Sequence, residues 1–170
     1  PQLDLDLCRE RQQRLRQLLA DVRAERALLT KPEQIQYFTG FRPHHLMHAA
    51  VCIDDSNCQL IAPNEEPARH AATKVITFEA QWRCTLRQDQ EAAVAAALHD
   101  AQPSSSYGSI AVDRPLAAHI NQPNVIDIEQ NLLALRRCKA PDEVAMIRHA
   151  IRGTDAMYAR AKEIIEPGIN

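Results

Sequence analysis

The chain has 170 residues, 45% of them apolar and 25% charged, which is enough for one buried core and too apolar for a disordered segment. Its formal net charge of −2 argues against nucleic acid as an obligatory partner. No run approaches the ~20 apolar residues of a membrane span and no signal-peptide block opens the sequence, so a cytoplasmic protein without membrane contact is the expectation.

Residues 7–24 place Leu15, Leu18, Leu19 and Val22 on one face, which predicts an amphipathic helix. Arg9, Arg11, Arg14, Arg16, Arg23 and Arg26 fall along this first pattern and read as a solvated face. Ala27-Leu28-Leu29-Thr30 is a buried first strand. Lys31-Pro32-Glu33 opens a short helix, with Pro where its missing N–H is harmless, and Gly40 ends it. Residues 48–53 and 58–62 form a hairpin around Asp54-Asp55-Ser56-Asn57. Asn64 is a plausible cap for a helix running to Ala71.

A strand follows at 74–78 and an Ala-rich helix at 88–101. Pro103 and Ser104–Ser106 make a loop. A strand at 109–112, a short helix at 115–120 and a last strand at 125–128 complete an alternating pattern. This predicts an α/β domain, a mixed sheet flanked by helices. The most regular segment comes last. Val144, Ile147, Ile151, Thr154, Tyr158, Ala161 and Ile165 recur at spacings of 3 and 4, so one long helix carries a stripe that needs a partner surface. Pro141 suits its first turn and Pro167-Gly168 stops it.

Five cysteines (Cys8, Cys52, Cys58, Cys84, Cys138) without CxxC spacing make neither a zinc site nor a disulfide framework. If Ile53 pairs with Cys58 across a four-residue loop, Cys52 points to the opposite sheet face; a loop one residue longer would restore a bridge. Reduced thiols are expected.

One polar cluster invites a site: Phe41-Arg42-Pro43-His44-His45-Leu46-Met47-His48. Three His beside an Arg suit a metal or a carboxylate. Zinc needs three or four converging ligands, however, and adjacent His44 and His45 diverge in an extended chain. Ser104–Ser106 lack GxSxG context, and four glycines form no GxGxxG or Walker loop. Trp82, near Arg83 and Arg87, reads as a partly buried anchor ahead of a stacking platform. Asp54, Asp55, Asp113 and Asp127 sit at a turn and at strand ends, where turn chemistry explains the first pair better than a metal does. No catalytic, cofactor-binding or metal-ligating residue is assigned.

Three stretches carry a resemblance. Arg14-Leu15-Arg16-Gln17-Leu18-Leu19 through Ala27-Leu28-Leu29-Thr30 resembles the opening helix and strand of creatinase/prolidase-type metallohydrolases, the Xaa-Pro dipeptidases, aminopeptidases P and creatinases. Residues 32–41, Pro32-Glu33-Gln34-Ile35-Gln36-Tyr37-Phe38-Thr39-Gly40-Phe41, are similar to that family's PENIxYLTGF signature. Leu135-Arg136-Arg137-Cys138-Lys139-Ala140-Pro141-Asp142-Glu143, with Glu166-Pro167-Gly168, resembles its junction between an amino-terminal and a catalytic domain. Two departures stand out: Ala24-Glu25-Arg26 lacks the usual Gly, and Ala140 replaces a capping Ser or Thr, a loss of about 1 kcal/mol of helix-end stability.

The resemblance implies a ribonuclease-H-like amino-terminal α/β domain at 1–134, then a linker and long helix at 135–170 leading to a catalytic domain further along. A shared fold of this kind implies no nuclease activity. In the family two divalent metal ions (Mn, Co or Zn), held by two Asp, one His and two Glu beyond the junction, activate the attacking water. The implied role here is dimerisation and substrate-pocket framing, with Phe41, Arg42, His44 and His45 in the pocket wall. The implied partners are the chain's own catalytic domain, a second subunit and proline-containing peptides. A protein-binding module from a metal-free relative and a creatinase-like C–N hydrolase domain are the alternatives.

Overall fold

The computed structural model describes residues 2–82, 87–101, 108–114 and 124–165. The loop at 103–106, the helix expected at 115–120, Arg83, Cys84 and Pro167-Gly168 lie outside the described residues. The elements run α1 (Leu5–Val22), β1 (Arg26–Leu29), α2 (Pro32–Thr39), β2 (Ala50–Asp54), β3 (Cys58–Pro63), β4 (Lys74–Phe78), α3 (Gln90–Ala101), β5 (Ile110–Val112), β6 (Val125–Asp127), α4 (Glu129–Leu135) and α5 (Pro141–Ile164).

The strands form one sheet in the order β4-β3-β2-β1-β5-β6. β2 runs antiparallel to both β1 and β3, while β1–β5, β5–β6 and β3–β4 are parallel. The mixed α/β architecture is the expected one, and strand alternation builds its two cores. Ala27, Leu29, Val51, Ile53, Cys58, Leu60 and Ala62 point to one face, under Leu15 and Leu19 of α1, Ile35 and Phe38 of α2 and Leu132 of α4. Leu28, Ala50, Cys52, Ile61 and Val112 point to the other, under Val94 of α3. The central strands are therefore covered on both sides, while the edge strands β4 and β6 stay partly exposed, and each fully buried Leu or Ile contributes roughly 1.5–3 kcal/mol.

The hairpin pairs Ile53 with Cys58 and Cys52 with Gln59, so the two cysteines lie in opposite cores. Cys8, Cys52, Cys58 and Cys138 are all free thiols. Burial pushes Cys52 up to about 11 and Cys58 up to about 12, leaving both protonated at neutral pH. Asp54 Oδ1 accepts N–H bonds from Ser56 (2.8 Å) and Asn57 (2.7 Å), which is the Asx turn read from sequence.

Four expectations change. No helix begins at Asn64: its backbone sits at φ +63°, and its side chain accepts from the Ala80 N–H at 2.7 Å, fastening the β3–β4 crossover to the chain after β4. α4 was not foreseen. It packs Leu132 and Leu135 against the main core, and Asp127 Oδ1 accepts from the Glu129 N–H at its start (2.8 Å). The missing Gly after α1 is replaced by Arg23 in the left-handed region (φ +57°), a conformation that Gly adopts without the Cβ penalty. The fourth change concerns the arginines of α1. Arg9 and Arg14 are exposed and pair with Asp6 and Glu10, but Arg16 donates to the carbonyls of Asp54 and Asn57, and Arg11 is buried.

Candidate functional site

The carboxyl ends of β1, β3, β4 and β5 and the start of β2 lie at one end of the sheet, and the polar loop after α2 lies there too. Gly40 closes α2 at φ +77°, and a Cβ there would come within 2.9 Å of Leu5 Cδ2. Thr39, fully buried, receives the Phe41 N–H on its hydroxyl at 3.1 Å while donating to the Ile35 carbonyl at 2.6 Å. The loop thus leaves α2 in a defined direction.

Beyond Pro43 the chain turns. The Met47 N–H bonds the His44 carbonyl (2.8 Å), and His44 Nδ1 accepts from the Leu46 N–H (3.2 Å). This turn corrects the expectation that the adjacent imidazoles diverge: the His44 and His45 rings are 4.2 Å apart, and His44 meets the Trp82 indole edge-on at 4.9 Å. Trp82 is 46% exposed, a partly buried side chain whose edge contact with His44 leaves much of the indole open to solvent. Gln90, the first residue of α3, holds the two loops together. Its Oε1 accepts from the His48 N–H (2.6 Å), and its amide nitrogen donates to the carbonyls of Leu46 and Gln81. Gln90 is 3% exposed, a buried hub with no signal in the periodicity.

The proposed wall residues separate into two groups. His44 and His45 join Trp82. Phe41 is half-buried against the main core, and Arg42 donates to Gln36 Oε1 (2.9 Å). Arg42 also lines an open cavity of about 230 Å³ with Tyr37, Arg136, Glu143 and Met146. Behind the loops Asp113, fully buried, accepts the backbone N–H groups of Thr30 (2.9 Å) and Lys31 (2.7 Å), locking the ends of β1 and β5 together. Burial outweighs those bonds and raises its carboxyl above the usual range. Arg114 bridges Thr30 Oγ1 (3.0 Å) and Glu91 (2.8 Å), and Lys31 pairs with Glu129.

A second constellation was missed. Arg11 Nη2 lies 2.5 Å from Asp142 Oδ1 and 3.5 Å from Glu143 Oε2, with its guanidinium 4.7 Å from the Tyr37 ring centroid. Asp142 Oδ2 also accepts the Asp4 N–H at 3.0 Å. Burial alone would raise the Asp142 carboxyl, but the Arg11 hydrogen bond, the Asp4 and Glu143 N–H groups and the Arg11 charge together hold it below the ordinary range. A signal existed: Cys8, Arg11, Leu15, Leu19 and Val22 follow one another at helical spacing, so Arg11 occupies a core-facing position.

Chemically, the loop end offers an indole and two imidazoles for stacking and hydrogen bonding. Among the described residues no three His, Cys, Asp or Glu side chains converge on a point. The two metal ions that the resemblance implies therefore find no fit among the described residues. No helix among the described residues is long and apolar enough to cross a membrane.

Comparison with known proteins agrees with this architecture. The prolidase of Pyrococcus horikoshii OT3 superposes with a TM-score of 0.71 at 16% identity, over 94% of this chain and 44% of that one. An X-Pro aminopeptidase from Thermotoga maritima MSB8 gives 0.64 at 16% identity, over 93% and 44%. The creatinase/prolidase N-terminal domain of an X-Pro dipeptidase from Streptococcus pyogenes gives 0.54 at 15% identity, over 74% and 97%. The chain thus spans under half the length of the first two and nearly the whole of the third. No curated protein matches the sequence. The Creatinase/Prolidase N-terminal domain family matches residues 11–143, and the chain belongs to that family.

Proposed function

We propose that this chain is the non-catalytic amino-terminal domain of a dinuclear-metal Xaa-Pro peptidase of prolidase or aminopeptidase P type, serving dimerisation and substrate-pocket framing. The observation that carries this reading is the coverage: 94% of this chain lies on 44% of a prolidase. Residues 1–134 form the domain proper, and 135–170 lead toward a catalytic domain that supplies the metal ligands. The exposed apolar stripe of α5 supports that arrangement, since Ile147, Ile151 and Tyr158, with Ile165 just past its end, need a covering surface.

His44, His45 and Trp82 form the part of the pocket wall best suited to a proline ring, while Phe41 and Arg42 belong to the wall on the side of α2. In the full-length protein, replacing His44, His45 and Trp82 by Ala is expected to cost about tenfold in kcat/KM on an X-Pro dipeptide, the loss of ~1.4 kcal/mol of binding. Unchanged KM and kcat would remove the pocket-wall role. The isolated chain is expected to cleave no X-Pro dipeptide with or without added manganese or cobalt; metal-dependent turnover by the pure chain would overturn the whole reading.

A further inference from the structure

α5 is 24 residues long, about 36 Å, and none of its residues is buried. Its ties to the rest of the molecule gather at its root. Asp142 and Glu143 meet the Arg11 guanidinium, Asp142 takes the Asp4 N–H, and Met146 packs beside Leu3, Cys8 and Ala71. From there outward the exposure rises: Ile147 is 47% exposed, Ile151 54% and Tyr158 68%. Ala140 provides no side-chain cap, and Glu143 reaches back to the Ala140 N–H at 2.9 Å.

Arg11 is 1% exposed, and its Nε has no hydrogen-bond partner among the described residues. Desolvating a guanidinium to pair it with Asp142 and Glu143 is a weak way to gain stability, because apolar side chains of similar volume do as well or better. What such a pair supplies instead is direction: a planar fork accepts its carboxylates in few orientations.

We propose that Arg11 is the positioning residue of a clasp that sets the angle at which α5 leaves the domain. A tilt of 10° at the root carries the tip of a 36 Å helix through about 6 Å, so small changes in the geometry of the root are magnified at the far end. The inference concerns this chain's own helix and does not rest on the proposed function.

The test places spin labels at Asp55→Cys and Met157→Cys in a background where Cys84 and Cys138 are Ser, and reads the distance distribution by pulsed electron resonance. The parent is expected to give one narrow distribution. Arg11→Met and Asp142→Asn are expected to broaden it or move its mean by several ångström while the circular-dichroism spectrum still reports a folded sheet. Ile53→Val, which lowers stability in the core without touching the clasp, is expected to leave it unchanged. Should Arg11→Met not fold, Asp142→Asn decides, since it keeps shape and the acceptor for Asp4 but removes the charge. A distribution that stays narrow and unmoved in a folded clasp variant overturns the proposal, and so does an equal broadening in Ile53→Val.

Discussion

The β1–β3 ladder and α5 carry equally regular apolar patterns, and their fates differ completely. Ile53, Leu60 and Val51 are 0% exposed, whereas Ile151 and Tyr158 on α5 are more than half exposed. The ladder is sandwiched because α1 and α3 return to its two faces. α5 departs after its first turns, and nothing described returns to it. An amphipathic pattern therefore reports that a face wants burial, not that the same chain supplies it.

The sharpest way to break this contrast is Leu60→Ala, which should cost about 2–5 kcal/mol through lost burial and the cavity left behind, read from the denaturant midpoint. Asp113→Ala comes next. It strands the buried N–H of Thr30 and the partly buried N–H of Lys31, and a loss of about 2–4 kcal/mol is expected by the same measurement.

The Asp142 clasp predicts an acid dependence. Its folded pKa is depressed, so its contribution is fully present above the ordinary unfolded carboxylate value of about 3.9 and is lost as pH falls through the lower folded value. Stability curves of the parent and Asp142→Asn should therefore converge at acid pH; a gap that stays constant down to that range would refute the pairing. Gly40→Ala, forcing a Cβ into the left-handed region against Leu5, should cost about 1 kcal/mol or somewhat more. At the small end, Ile151→Ser on α5 should change the stability of this chain by no more than about 0.5 kcal/mol. A large loss there would mean that α5 is covered after all.

Much of the fold was legible because its signals are local. Pro32 and Gly40 bracket α2, Asp54 makes the hairpin turn with its own neighbours, and alternation put Cys52 and Cys58 in different cores. The failures have a common cause. Asn64 looked like a cap, yet its partner is Ala80, sixteen residues away. Arg11 looked solvated among other arginines, yet its partner is Asp142, 131 residues on. His44 and His45 were set apart as though the chain were extended, and the turn at 44–47 brought the rings together beside Trp82. Gln90 had no local feature that marks a hub.

Taken alone, the order of residues determined most strands and helices, though neither α4 nor the stretch after Asn64, together with the sheet face each strand residue takes and the kinship carried by three short motifs. Those are consequences of backbone period and turn chemistry, which act over a few residues. The tertiary structure alone decided which polar side chains are buried, which loops share an end of the sheet, and that the last helix is held at its root. Each of these depends on a partner far along the chain, and burial and directed hydrogen bonds come into being only when the layers close.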